Sequence, residues 1–165
     1  MNIEEKVEFL RKRHPAFGRR VLYDVDNKGN EFCEMIYPNE QNPVMPIAVS
    51  VSDEGCLVSA GQIINVTGRT PITAEQAASA IDDIVSDRII FVLGYADGVD
   101  IGSGAPFLTE LFAITGGEDD MSAELEAFIA KISKPVTGWK RRFTSLKGRF
   151  LITSFSGEKN QTIIR

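Results

Sequence analysis

Apolar residues change their spacing several times along this chain, and each change marks an element. Ile3, Val7, Leu10 and His14 recur at helical spacing, so a helix over 3–13 presents one buried stripe. Asn2 precedes it with Glu5 three residues on, an arrangement in which each side chain satisfies the other residue's backbone N–H, and Pro15 stops it. From Arg20 the period becomes two. "RRVLYDV" and "EFCEMIY" flank the turn-forming "DNKGN", which predicts a β-hairpin over 20–37. After the proline-rich loop "PNEQNPVMP" comes "IAVSVS", with Ile47, Val49 and Val51 on one face, then the turn "DEG" and strands near 56–60 and 62–67. The product is an antiparallel meander with one face buried.

Thr73 with Gln76 three residues later repeats the capping arrangement and opens a second helix, whose inner stripe is Ala77, Ile81, Ile84 and Val85. Its acids Glu75, Asp82, Asp83 and Asp87 are then expected outward or lateral. "IIFVLGY" has no alternation, as expected of a central strand covered on both faces. Pro106 suits a first helical position and Gly116-Gly117 a stop, so a third helix is expected between them, with Phe107, Leu108, Leu111 and Phe112 inward. Leu125, Phe128, Ile129 and Ile132 predict a fourth over 122–133. Strands are expected at 139–146, 149–155 and 161–164.

This order lacks regular βαβ alternation. It predicts a single α+β domain over 1–165, with a mainly antiparallel sheet of about eight or nine short strands and about four helices packed on it. A chain of 165 residues at 43% hydrophobic is long enough to bury a sizeable core without disulfide or metal support. Cys33 and Cys56 lie in strand-like segments without C-x-x-C spacing and read as buried, reduced thiols. The first eight residues include three glutamates and no apolar core, which does not read as a signal peptide, and no apolar run approaches the roughly 18 residues of a membrane span. A cytoplasmic protein without membrane contact is the expectation.

The net charge of −5 hides a segregation. Residues 1–20 hold six Lys and Arg against three acids, residues 21–133 four against nineteen, and residues 134–165 eight against one. An acidic middle of this kind raises the association rate with a basic protein. The carboxylates expected to form such a surface are Asp82, Asp83 and Asp87 on the second helix, with Glu118, Asp119 and Asp120 ahead of the fourth.

Two further segments carry candidate chemistry. "GYADGVDIGSGAPF" (94–107) places a glycine-rich loop between an apolar strand and an expected helix start, where free N–H groups favour an anion. The pattern departs from a nucleotide fingerprint, because Phe107 stands where a third glycine belongs. Ser103 and Gly104 are its anion candidates, and Asp97 and Asp100 its cation candidates. "GWKRRF" sets Trp139 beside Lys140, Arg141 and Arg142, with Lys147 and Arg149 following, a basic, aromatic-bearing hairpin of the kind that grips a phosphate backbone. No recognition motif accompanies it, so nucleic acid is not the expected partner.

Enzyme constellations lack parts: there is no G-x-S-x-G, no H-E-x-x-H, no second histidine and no C-x-x-C. The reading that follows is a non-catalytic protein-binding domain, inhibitor-like, immunity-like or regulatory, facing a cationic partner and using no cofactor or metal. A small-ligand or cation site at 94–107, as binder or enzyme, is the alternative, and a nucleic-acid accessory role at 138–149 the third. The open sheet edges also make a dimer a reasonable expectation.

Overall fold

A computed structural model describes residues 1–19, 21–43, 45–61, 64–68, 70–96, 108–113, 118–132 and 148–164. They group into two compact units, Met1–Asp87 with Phe155–Gly157, and Arg88–Ser154 with Glu158–Arg165. The α+β class holds. There are two antiparallel sheets, however, of five and four strands, and among the described residues three α-helices where about four were expected.

The first unit is the expected meander. Strands β1 (Val21–Val25), β2 (Glu31–Tyr37), β3 (Ile47–Ser52), β4 (Gly55–Ala60) and β5 (Ile64–Asn65) follow one another in space as in sequence. The register sets Met35 opposite Val49 and Val49 opposite Val58, so their side chains share one face and all three are fully buried. Helices α1 (Ile3–Arg13) and α2 (Ala74–Val85) cover that face, α1 against β2 and β3, α2 against β4. Val7, Leu10, Ala77, Ile81 and Ile84 supply their buried stripes. Each large aliphatic side chain so buried contributes roughly 1.5–3 kcal/mol.

Both helix starts form as the sequence predicts. The Glu5 amide donates to Asn2 Oδ1 at 2.8 Å and the Asn2 amide to Glu5 Oε2 at 2.9 Å. Gln76 and Thr73 exchange the equivalent pair at 3.2 and 3.0 Å. Lys6 is also buried, and its Nζ donates to the Ser52 and Asp53 carbonyls at 2.6 and 2.9 Å, pinning the first turns of α1 to the β3–β4 turn. The proline-rich loop is ordered by a buried amide: Asn39 Nδ2 donates to the Phe155 carbonyl at 2.6 Å, and its Oδ1 accepts from the Asn42 amide at 2.9 Å.

The second unit holds β6 (Ile89–Ala96), β7 (Leu108–Ala113), α3 (Glu118–Ile132), β8 (Gly148–Thr153) and β9 (Gln161–Ile164), in the sheet order β7-β6-β8-β9. "IIFVLGY" is an inner strand, as expected, but of this separate sheet rather than of the meander. Ile90, Val92, Phe112, Phe150 and Ile152 line one face and pack with Leu125 and Ile129 of α3. Phe91, Leu93 and Tyr95, on the opposite face of β6, are buried as well.

The expected helix after Pro106 is a strand. Residues 108–113 pair with β6 in an antiparallel register running from Ile89–Ala113 to Gly94–Leu108. Backbone pairing with an adjacent buried strand outweighs a short helical spacing of apolar residues. Helix α3 begins at Glu118, four residues earlier than expected. Of the strand expected over 62–67, the described residues give Ile64–Asn65 as strand and 66–67 as turn, and the one expected over 139–146 lies outside the described residues. Among the described residues no helix is long and apolar enough to cross a membrane.

Candidate protein-binding surface

An antiparallel meander brings alternate turns to one end of the sheet, so the β1–β2 and β3–β4 turns of the first unit are neighbours. Both carry acids. The first turn is built by Asp26: its Oδ1 accepts from the Lys28 and Asn30 amides at 2.8 and 2.9 Å, its Oδ2 from Asn30 Nδ2 at 3.0 Å, and Gly29 takes a φ of +85°. The Asn30 side-chain and backbone hydrogen bonds, with the Lys28 bonds behind them, hold the Asp26 carboxyl below the ordinary carboxylate value, so it stays ionised. The second turn carries Asp53 and Glu54. An open depression of about 760 Å³ lies between the turns, lined by Asp26, Glu31, Asp53 and Glu54 with Lys28 and Phe32. Four carboxylates thus face one base. Among the described residues no cation pairs with Glu31, Asp53 or Glu54.

Beside it runs β1, an edge strand. Leu22, Tyr23 and Val25 are 59%, 64% and 53% exposed and, apart from Met1, are the large hydrophobic residues exposed among those described. A shallow groove joins Tyr23, Asp24 and Val25 to Ile3, Glu4 and Glu31. Apolar side chains concentrated at one place on a surface mark an interaction site more often than the same residues scattered.

The carboxylates singled out from the sequence fall in both units. Asp82 is one-third exposed and is held inside the unit, its Oδ2 2.9 Å from Arg13 Nη2 and its Oδ1 3.6 Å from His14 Nε2. Asp87, expected outward or lateral, is buried: it accepts from the Ser156 amide at 3.0 Å and from the Ser156 hydroxyl, and it adopts a left-handed φ of +54° that turns the chain beyond α2. Asp83 lies on α2, half-buried, with interactions of its own. Glu118, Asp119 and Asp120 form the first turn of α3, in the other unit.

Asp97, Asp100, Ser103 and Gly104 lie outside the described residues, as do Trp139, Lys140, Arg141, Arg142 and Lys147. Among the described residues that follow, Leu108–Ala113 is a strand, where the anion reading expected a helix. Arg149 belongs to β8, between β6 and β9. Among the described residues no cluster of three His, Cys, Asp or Glu side chains is placed to hold a metal.

No family model, no curated protein and no solved structure matches this chain. The chemistry therefore rests on its own residues. His14, the one histidine, is buried at the C-terminus of α1, with Nε2 3.3 Å from the Ala78 carbonyl and the ring edge-on to Phe17 and Tyr37. Such a ring packs and positions α2.

Both cysteines are buried and free. Cys33 lies opposite Val51, and Val51 opposite Cys56, so two strand spacings separate them, roughly 10 Å against the roughly 7 Å that a disulfide spans. Desolvation pushes the Cys56 thiol up to about 11 and raises Cys33 as well. At pH 8 the native protein is expected to react with iodoacetamide at least about 100-fold more slowly than in urea. Rapid native labelling would contradict the burial. Because folding raises the Cys56 pKa, its contribution to stability is complete below the ordinary thiol value of 9.0 and is lost as the pH climbs through about 11.

Charge density along the chain does not single out the acids at the turn tips, which are few and separated in sequence. Their signal was present: "YDVDNKGNE" and "SDEG" each place acids at a predicted turn, and a meander puts those two turns side by side.

Proposed function

We propose that this chain is a non-catalytic protein-binding domain, inhibitor-like, immunity-like or regulatory, that meets a cationic partner through the acidic turn tips of its five-stranded sheet. The observation that carries the reading is the depression between the two turns, where Asp26, Glu31, Asp53 and Glu54 face one base, Lys28. Carboxylates held at adjacent turn tips repel one another until a cation arrives, and a basic protein relieves that repulsion. Such a field mainly accelerates association and weakens with salt. Asp82 and Asp87, held by Arg13 and Ser156, shape the unit from within, so the surface proposed for contact is that of the tips.

The test uses Glu31→Gln, Asp53→Asn and Glu54→Gln together, leaving Asp26 in place because its carboxylate builds the turn. Immobilised wild type should retain a basic protein from cell extract at about 50 mM salt and release it near 300 mM. With that protein purified, the triple variant should lower the association rate about tenfold at low salt with little change in dissociation. Retention of no basic protein, or equal association rates for the two forms, counts against the reading.

A further inference from the structure

We infer that β1 is a self-pairing edge, and that two copies of this chain join antiparallel along it into one ten-stranded sheet. The first observation is where the exposed apolar groups lie. Leu22 points to one face of the sheet, and Tyr23 and Val25 to the other, since neighbouring strand residues alternate. A ligand or helix laid on one face would leave the other exposed. A strand added in the plane of the sheet covers both faces and also pairs the N–H and C=O groups that an edge strand directs outward.

The opposite edge offers little by comparison. It is β5, two residues long, whereas β1 runs five residues without proline, lysine or glycine, the residues that commonly blunt an edge.

The sequence of the strand selects a second copy as the occupant. Read antiparallel onto itself about Tyr23, "RRVLYDVD" sets Tyr23 against Tyr23, Val21 against Val25 and Leu22 against Asp24. Asp24 and Asp26 follow the strand's centre, so antiparallel pairing holds the acidic ends of the two copies apart. Parallel pairing would set like charges together. Slipping by one residue would move Tyr23 to the face of Leu22. Centring on Asp24 would oppose two carboxylates, and centring on Leu22 would set Val25 against Arg19, which belongs to the preceding 3-10 turn. The Tyr23-centred register alone pairs the whole strand. It also leaves the acidic turn tips of the two copies at opposite ends of the shared strand pair, each free for a partner.

Sedimentation velocity from about 5 to about 200 µM should show a species of twice the chain mass. Tyr23→Lys, which sets two ammonium groups face to face, should weaken the dimer about 100-fold or more, and Tyr23→Glu likewise. Mixed one to one, the two variants should form a heterodimer, which also shows that both are folded. A wild type monomeric at 200 µM, a dimer indifferent to Tyr23→Lys, or a mixture that stays monomeric would each overturn the inference. These variants retain Glu31, Asp53 and Glu54, so the outcome leaves the turn-tip reading separately testable.

Discussion

Phe150→Ala is expected to cost about 4 kcal/mol, the largest single-residue loss in the second unit. The ring is fully buried in the cluster formed by Ile90, Val92, Phe112, Leu125, Ile129 and Ile152. Its cross-strand neighbour in β6 is Gly94, which has no side chain to move into the space vacated. A cavity that cannot collapse loses both the transfer free energy of the ring and the dispersion contacts of its lining. Phe128→Ala, at a partly buried ring whose centroid lies 5.2 Å from that of Phe112, should cost about half as much. Urea midpoints of the two variants, compared at constant m, give the measurement. Equal losses would show that Phe150 does not close the cluster.

The second large effect is expected at Gly55, where β4 begins. Its φ is +146°, a backbone geometry that side-chain-bearing residues rarely adopt, and a Cβ built there would sit 2.6 Å from the Ile72 carbonyl oxygen. That same oxygen accepts from the Cys56 amide at 2.8 Å, and the Ile72 amide donates back to the Cys56 carbonyl at 2.9 Å, so the approach to α2 is pinned at this point. An added methyl must either push this bridge open or shift the β3–β4 turn. Gly55→Ala should therefore cost about 3 kcal/mol, combining backbone strain with loss of the bridge. Gly29→Ala is the control: φ is +85°, nothing lies within 4 Å of its Cβ position, and only the left-handed backbone cost of about 1 kcal/mol should appear. If the two substitutions cost the same, the contact with Ile72 is not what makes Gly55 necessary.

The depth to which the sequence can be read follows from the range of each interaction. Asn2 with Glu5 and Thr73 with Gln76 satisfy backbone groups within one turn, and both caps form as predicted. The meander was equally legible, because alternation fixes the buried face and a turn of set length fixes the register. Residues 106–116 were misread for an identifiable reason. Leu108, Leu111 and Phe112 satisfy a helical spacing, while Leu108, Glu110 and Phe112 satisfy a strand period, and six residues are too few to separate the two. The partner separates them: β6 offers unpaired backbone groups, and Val92 faces Glu110 there.

The candidate surface was only partly legible. Charge density along the chain pointed to α2, but Arg13 lies 69 residues from the Asp82 it holds, as does Ser156 from Asp87. No local pattern carries that information. The exposure of Tyr23 was likewise hidden, since its strand pattern matches that of a buried neighbour.

By itself, then, the sequence determined the helix caps, the turn chemistry, the strand periods and the α+β class, all set by hydrogen bonds and side-chain spacing within a few residues. The tertiary structure alone decided that the strands divide into two sheets, that 108–113 is extended, that Asp82 and Asp87 are engaged internally, and that β1 is left as an edge. Those outcomes depend on which distant segment supplies the complementary donor, charge or apolar face, and that is settled only when the chain is packed.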